Sequence, residues 1–186
     1  MATGARPKRS RDYMVWVDLE MTGLDPARHV ILEIATIITD FDLTVVARGP
    51  ELAIRQSPAK MRAMDPWPRK THTASGLLAR MASEGVTLAD AEAQTLRFVR
   101  KYCYANTAPL CGNSVWQDKR FLTRYMPRLQ DFLHYRIVDV STVKQLVAHW
   151  CPEHLQAPAK RETHRALADI EESIAELSAY KALFAK

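Results

Sequence analysis

Glycine is scarce in this sequence of 186 residues. The only six are Gly4, Gly23, Gly49, Gly76, Gly85 and Gly112, and no two are closer than nine positions. Loops that bind phosphates through backbone N–H groups, such as the P-loop and the dinucleotide-binding fingerprint, require closely spaced glycines. The sequence therefore excludes both loops, and a bound phosphate would have to be held by side chains or metal ions.

Cysteine is also rare, and long apolar runs are absent. Cys103, Cys111 and Cys151 are odd in number and lack C-x-x-C spacing, which argues against a disulfide framework and against a zinc site. We expect reduced thiols and a cytoplasmic protein. No apolar run approaches the roughly 18–20 residues of a membrane span. The basic N-terminus lacks the apolar segment of a secretory signal, so we expect no membrane partner.

The length and charge are those of an ordinary globular domain. Lys and Arg number 26 against 21 Asp and Glu, and 47% of the residues are hydrophobic. We predict a flexible basic tail over residues 1–11 and a single domain over residues 12–186. Because residues 1–12 contain four basic groups and one acid, most of the net charge of +5 belongs to the tail region.

The apolar pattern predicts an α/β fold with a mixed β-sheet flanked by α-helices. The predicted strands are residues 13–20, 30–40, 43–56, 110–113 and 136–140, of which the first three form an antiparallel meander. The first predicted helix begins at Ser57-Pro58 and ends near Asp65-Pro66, and the second spans residues 71–82. The next begins with Thr87 as its cap, and the others begin at residues 117, 142 and 164. A single sheet covered by helices accounts for the whole order of predicted strands and helices along the chain.

Two acids lie close together on the first predicted strand. Asp18 and Glu20 are two residues apart, so both side chains leave the same face of the sheet. Neighbouring carboxylates repel each other, and a divalent cation between them relieves the repulsion. An ordinary polar strand end in solvent is the simpler explanation of the pair taken alone, so the pair by itself does not establish a metal site.

Two more acids and a histidine extend this set. Asp118 follows the fourth predicted strand, and Asp169 belongs to the last predicted helix, five residues after His164. On a regular helix these last two would be about 140° apart, but with Thr163 as N-cap His164 could turn toward the same cleft. Four acids suit two Mg²⁺ or Mn²⁺ ions, and a histidine could take a proton from the attacking water. This is the set that a two-metal phosphodiesterase requires.

Several sequence blocks resemble known nuclease motifs. VWVDLEMTGLD, CGNSVWQDKRFL and HRALADIEES resemble the three exonuclease motifs of the DEDDh superfamily. MDPWPRKTHTASGL and HYRIVDVSTVKQL resemble the oligoribonuclease family, and the likeness runs from about Tyr13 to the C-terminus. The resemblance implies an RNase H-like exonuclease fold and a homodimeric 3′-to-5′ exoribonuclease. Such an enzyme degrades very short RNA, of dinucleotide size, to 5′-mononucleotides with two divalent cations, Mg²⁺ or Mn²⁺.

The resemblance also assigns residues to roles. The metal ligands would be Asp18, Glu20, Asp118 and Asp169, and the general base would be His164. The substrate-binding residues would be Leu24, Trp67, His72, Ser114, Tyr135, Arg136, Ser141 and Thr142.

Within the substrate-binding set, Leu24 would act as an apolar wedge, and Trp67 would stack on a base with His72 nearby. The serines, the threonine and the arginine would close around the 5′ phosphate, and Tyr135 would reach into the partner subunit's site. Ser141 and Thr142 could instead simply cap the following helix.

Two other functions remain open at this point. One is a DEDDh exonuclease that acts on longer RNA or DNA 3′ ends, as in tRNA trimming or proofreading. The other is a binding module without turnover, against which the complete acidic set argues. One departure from the family pattern is Trp116, which is bulkier than expected before Asp118 and leaves the packing of that loop undetermined.

Overall fold

The computed structural model describes residues 8–154 and 165–184. Its core is a five-stranded sheet with the order β3-β2-β1-β4-β5. The strands are Tyr13–Met21 (β1), Ile31–Asp40 (β2), Val45–Ala53 (β3), Leu110–Gly112 (β4) and Ile137–Asp139 (β5). The first three strands pair in antiparallel fashion, whereas β4 and β5 run parallel to β1. The predicted mixed sheet and its antiparallel meander are therefore confirmed.

Helices cover both faces of the sheet. They are Pro58–Arg62 (α1), Pro66–Ala74 (α2), Leu77–Glu84 (α3), Leu88–Tyr102 (α4), Val115–Tyr125 (α5), Pro127–Gln130 (α6), Val140–Trp150 (α7) and Ala166–Lys181 (α8). Short 3₁₀ turns follow at Pro152–His154 and Ala182–Phe184. Among the described residues, no helix combines the length and the apolar character that a membrane crossing requires.

The alternation of β1 determines what each face of the sheet carries. Val15, Val17 and Leu19 pack against the core beneath α4, α5 and α6, while Met14 and Trp16 pack against the core beneath α7 and α8. Both faces are apolar because both are covered by helices. The acids of β1 continue the Met14–Trp16 face, so they point toward the side of the sheet on which α8 lies.

The region predicted as one helix over residues 71–82 is two helices, so that prediction is wrong. The chain turns at Gly76, whose φ of 77° lies in the left-handed region that glycine adopts without strain. The first helix, α1, ends at Arg62, shortly before its expected end near Asp65-Pro66, and Asp65-Pro66 then begins α2 with proline in its first turn. The predicted cap at Thr87 is confirmed, because its hydroxyl accepts a hydrogen bond from the backbone N–H of Asp90 at 3.1 Å.

The last helix starts later than predicted. Arg165 occupies the N-cap position of α8, which begins at Ala166. Thr163 and the predicted base His164 lie outside the described residues. Residues 1–7 do as well, so the flexible tail stays a prediction. Within the described part, the backbone N–H of Ser10 donates to the carbonyl of Tyr102 at 2.9 Å.

Candidate active site

Three acids from two elements meet beside β1. Asp18 and Glu20 leave the same face of that strand, and Asp169 comes from the first turn of α8. One carboxylate oxygen from each lies within 4.8 Å of the others. Hard oxygen donors at this spacing fit a divalent cation such as Mg²⁺ or Mn²⁺. We call these three residues the acidic cluster.

Asp118 lies next to the acidic cluster, in the first turn of α5. Its side chain is buried, and its Oδ1 accepts a hydrogen bond at 3.0 Å from the backbone N–H of Leu19, the residue between Asp18 and Glu20. The structure therefore groups three of the four predicted ligands and joins the fourth to the backbone of the same strand. Trp116 does not disturb this arrangement, because its indole is exposed, with the Arg120 guanidinium 5.8 Å from the ring centroid.

Burial and mutual repulsion perturb these carboxyls. Burial raises the pKa of Glu20 to about 8, and the charges of Asp169, Glu33 and Asp118 add to the rise. Burial likewise raises the pKa of Asp118 to about 8. The pKa of Asp18 is raised well above its ordinary value by burial and then by the neighbouring acids, Asp118 first. At neutral pH such a group of carboxyls retains protons unless a cation replaces them.

Glu33 is a buried acid that sequence reasoning missed. It pairs with Glu20 across β1 and β2, is almost wholly buried, and accepts a hydrogen bond from Arg80 at 2.5 Å. Its other oxygen accepts the backbone N–H of Ala166, the first residue of α8, at 3.3 Å. Asp169 lies three residues further along this helix. The hydrogen bond between Glu33 and Ala166 therefore fixes the end of α8 that carries Asp169.

Glu51 extends this ionic network on the neighbouring strand. Its carboxylate accepts hydrogen bonds from Arg80 at 3.1 Å and from Arg165 at 2.7 Å. Two arginines thus bridge β2, β3, α3 and the start of α8. The local signal in the sequence is a charged residue, Glu33, inside the largely apolar strand Ile31–Asp40.

A cleft of about 580 Å³ opens beside Glu20. Leu24 and Trp67 both line it, with 67% and 63% of their surfaces exposed. His72 also lines it but is buried: its Nε2 lies 3.0 Å from the carbonyl oxygen of Met21, and its Nδ1 is 3.8 Å from Glu20. The structure therefore brings the predicted base-contacting residues Leu24 and Trp67, together with His72, next to Glu20 of the acidic cluster.

Gly23 allows the close approach of chain segments at this cleft. A Cβ atom on this residue would lie only 2.4 Å from the carboxylate of Asp65 and 2.5 Å from the His29 ring. Any larger side chain would therefore force the Asp65 carboxylate and the His29 ring to move.

The predicted phosphate-binding serines are neighbours across β4 and β5. The hydroxyl oxygens of Ser114 and Ser141 are 3.1 Å apart, and the backbone N–H of Ser114 donates to Ser141 Oγ at 2.8 Å. Asp139, which sequence reasoning missed, accepts hydrogen bonds at 3.0 Å from the backbone N–H groups of both serines. Asp139 is therefore the N-cap of α7, and the alternative interpretation of Ser141 and Thr142 as its cap is wrong.

The remaining predicted substrate residues are on the surface. Thr142 is exposed in the first turn of α7. Arg136 and Tyr135 are exposed just before β5, with the guanidinium 5.4 Å from the centroid of the tyrosine ring. Lys119 fixes this segment by donating to the carbonyl of Tyr135 at 2.7 Å.

Comparison with known proteins defines the class of the protein. Residues 15–177 match the family model described as Exonuclease. Together with the sheet and the acidic cluster, this match defines a nuclease of the exonuclease class.

Closer relatives then define the family within this class. The chain is 50% identical to the oligoribonuclease of Yersinia enterocolitica over 175 residues, which cover 94% of this chain and 97% of the relative. It is 52% identical to the oligoribonuclease of Alkalilimnicola ehrlichii over 175 residues, covering 94% and 91% respectively. The chain belongs to the oligoribonuclease family.

Solved structures confirm the exonuclease fold. Exonuclease I from Methylocaldum szegediense superposes with a TM-score of 0.70 at 17% identity, over 91% of this chain and 40% of that one. The metal-free Escherichia coli exonuclease I complex with single-stranded DNA gives 0.69 at 17% identity, over 93% and 42%. The chain thus spans about two fifths of these longer proteins, and the likeness concerns the fold.

Proposed function

We propose that this protein is a 3′-to-5′ exoribonuclease that degrades very short RNA, of dinucleotide size, to 5′-mononucleotides. The observation that carries the proposal is the position of Glu20, which belongs to the acidic cluster and also lines the cleft with Leu24 and Trp67. A terminal base seated in this cleft would lie beside the acids. Relatives in which about half of the residues are identical to this chain are named oligoribonuclease, and this name supports short RNA as the substrate class.

The acids fit a divalent metal centre. Asp18, Glu20, Asp118 and Asp169 would hold two ions, Mg²⁺ or Mn²⁺, which would stabilise the attacking and leaving oxygens when bound. The raised pKa values of the buried acids support this assignment, because such a group is electrostatically incomplete without cations. His164, five residues before Asp169, would be the general base that takes the proton from the attacking water.

The chain's own side chains would orient the substrate. Leu24 and Trp67 would hold bases by apolar contact and stacking, which requires no particular base because every base has a π-face. His72 would fix the cleft wall through its contact with β1. Ser114, Ser141, Thr142 and Arg136 would bind the 5′ phosphate, with Arg136 as the only permanent cation of that group.

The preference for short RNA follows from two features. The proposed substrate-binding residues form only one cleft for bases and one site for a phosphate. Residues 13–186 have a net charge of only +2, which provides little general attraction for a long phosphate backbone. Each further nucleotide would therefore add little binding, and it would have to pass the residues that close around the 5′ phosphate, which should lower kcat/KM.

We also infer a homodimer in the cytoplasm. Tyr135, just before β5, is 71% exposed, and Trp150, at the end of α7, is 72% exposed, so the β5–α7 segment offers large apolar side chains to a second copy. Tyr135 would then contact the partner subunit's substrate. Free Cys103, Cys111 and Cys151 suit a reducing compartment.

A length series tests the proposal. RNAs of two to about twenty nucleotides, and DNAs of matched sequence, are labelled at the 5′ end and incubated with Mn²⁺. We expect kcat/KM to be highest for the diribonucleotide and to fall with each added nucleotide. A kcat/KM that stays level or rises with length would contradict the proposal and support the alternative of an exonuclease for longer 3′ ends.

A further inference from the structure

A second cavity, of about 380 Å³, lies beside α4. Its lining includes five cationic side chains: Arg9, Arg97, Arg100, Lys101 and Arg128. The other lining residues are Ala93 and Leu96, so none of the described residues that form its wall is acidic. We call it the basic cavity.

Three separate segments of the chain build the basic cavity. Its α4 residues recur at intervals of three and four from position 93 to position 101, so they share one face of the helix. Arg128 is supplied by the first turn of α6. Arg9 comes from the segment before β1, which is held against α4 by the hydrogen bond from Ser10 to Tyr102. The cations therefore converge through tertiary structure and not through a run of like charges in the sequence.

The charge of this cavity is concentrated and unbalanced. Residues 13–186 carry a net charge of +2, and four of the cavity's cations are among them, so the remainder of that region is net negative. Within the described part of the chain, none of the five forms an ion pair with a carboxylate. The nearest acid on the helix, Glu92, is buried and accepts the backbone N–H groups of Arg128 and Leu129 at 2.7 and 3.2 Å.

The basic cavity is separate from the acidic cluster. None of its described lining residues belongs to the acidic cluster or to the cleft beside Glu20. Its Arg9 side lies just before Tyr13, whereas Glu20 lies seven residues further along β1. At roughly 3.3 Å per residue these two ends of the strand are about 23 Å apart. A ligand in the basic cavity would therefore not occupy the site of hydrolysis.

We propose that the basic cavity binds adjacent phosphate groups. Arginine presents a planar fork that matches phosphate oxygens, and four of the five cations are arginines. The apolar floor of Ala93 and Leu96 offers no charge that repels an anion. Two sources share this chemistry: the phosphodiester backbone of an RNA longer than the substrate, and a nucleoside polyphosphate. This site goes beyond the proposed hydrolysis of short RNA and does not depend on it.

Binding by the full chain tests the proposal. A fluorescein-labelled RNA of twelve nucleotides is titrated in EDTA, so that no hydrolysis occurs, and adenosine triphosphate is titrated by calorimetry under the same conditions. Arg97→Glu/Arg128→Glu is compared with Lys60→Glu/Arg124→Glu, which makes the same change of charge on exposed residues outside the cavity. We expect the first variant to weaken binding at least about tenfold and to lower the salt slope by about 0.7 for each lost phosphate contact. The control should stay within about twofold of wild type.

The outcomes separate the two sources. Loss of RNA affinity alone identifies an RNA backbone, loss of triphosphate affinity alone identifies a nucleotide, and loss of both supports the shared chemistry. The proposal is overturned if wild-type protein binds neither probe, or if both variants weaken binding equally. The milder Arg97→Gln/Arg128→Gln variant should reproduce the loss with an unchanged Tm. Diribonucleotide hydrolysis should remain at the wild-type rate in all variants, because none of these residues belongs to the acidic cluster or its cleft.

Discussion

Raising the pH should destabilise the metal-free protein, because folding buries carboxyls whose pKa values are raised. The pKa of Glu20 rises from 4.5 to about 8 in the folded state. Between these values the folded protein retains a proton that the unfolded chain has lost. The favourable contribution of Glu20 to the free energy of unfolding is therefore complete below about pH 4.5, and it is lost as the pH rises toward 8.

The size of the effect follows from the shift. A change from 4.5 to about 8 corresponds to about 5 kcal/mol for one carboxyl. Asp18 and Asp118 do not each add the same amount, because a proton on one acid relieves the repulsion felt by the others. We expect the free energy of unfolding in EDTA to fall by about 3–5 kcal/mol between about pH 5 and pH 8.5.

Urea unfolding followed by circular dichroism measures this change. The titration is carried out in EDTA and in excess Mn²⁺, for wild type and for Glu20→Gln, which removes one charge with little change in shape. Because a bound cation replaces the retained protons, Mn²⁺ should remove the fall, and its stabilising effect should increase with pH. Glu20→Gln should flatten the curve in EDTA. The same pH dependence in all four titrations would refute the assignment of these acids to a cation site.

The remaining predictions concern single substitutions. His164→Ala should lower the single-turnover rate of diribonucleotide hydrolysis about 10²–10⁴-fold while Mn²⁺ affinity stays the same, and unchanged kinetics would exclude it as the base. Trp67→Ala should raise KM about tenfold with a smaller effect on kcat, whereas Trp67→Phe should keep most of the affinity; equal kinetics for both would contradict stacking. Arg136→Ala should lower the kcat/KM ratio of 5′-phosphorylated to unphosphorylated diribonucleotide several-fold, and a ratio that survives would place the phosphate elsewhere.

The sheet and the acids of β1 could be predicted because their signals are local. The alternation along Tyr13–Met21 puts Asp18 and Glu20 on one face whatever the rest of the chain does. Gly76 can be read in the sequence, but the end of a helix at this residue could not be predicted from it. The apolar pattern continues through Gly76, and glycine also occurs inside helices.

Other parts of the site depend on contacts between distant segments. Glu33 and Arg80 are 47 residues apart, and Glu33 and Ala166 are 133 apart, so no local pattern joins them. Asp139 is the N-cap of α7, although the hydroxyl residues Ser141 and Thr142 follow it closely in the sequence. That Asp139 and not Ser141 is the N-cap depends on the simultaneous contact of Asp139 with Ser114. The basic cavity is hidden for the same reason, since its cations come from three segments of a chain of low net charge.

The most direct test of the account is the Asp18→Asn variant, measured for activity and stability together. Asp18 has a strongly raised pKa, and its carboxylate belongs to the acidic cluster. Neutralising it should lower diribonucleotide hydrolysis by at least about a thousandfold, since a metal centre supplies several kcal/mol. The same change should leave the metal-free protein at neutral pH at least as stable as wild type, because the unfolded chain no longer gains free energy by ionising a carboxyl that the folded protein keeps protonated. Hydrolysis near the wild-type rate, or a loss of activity that only accompanies unfolding, would contradict the account.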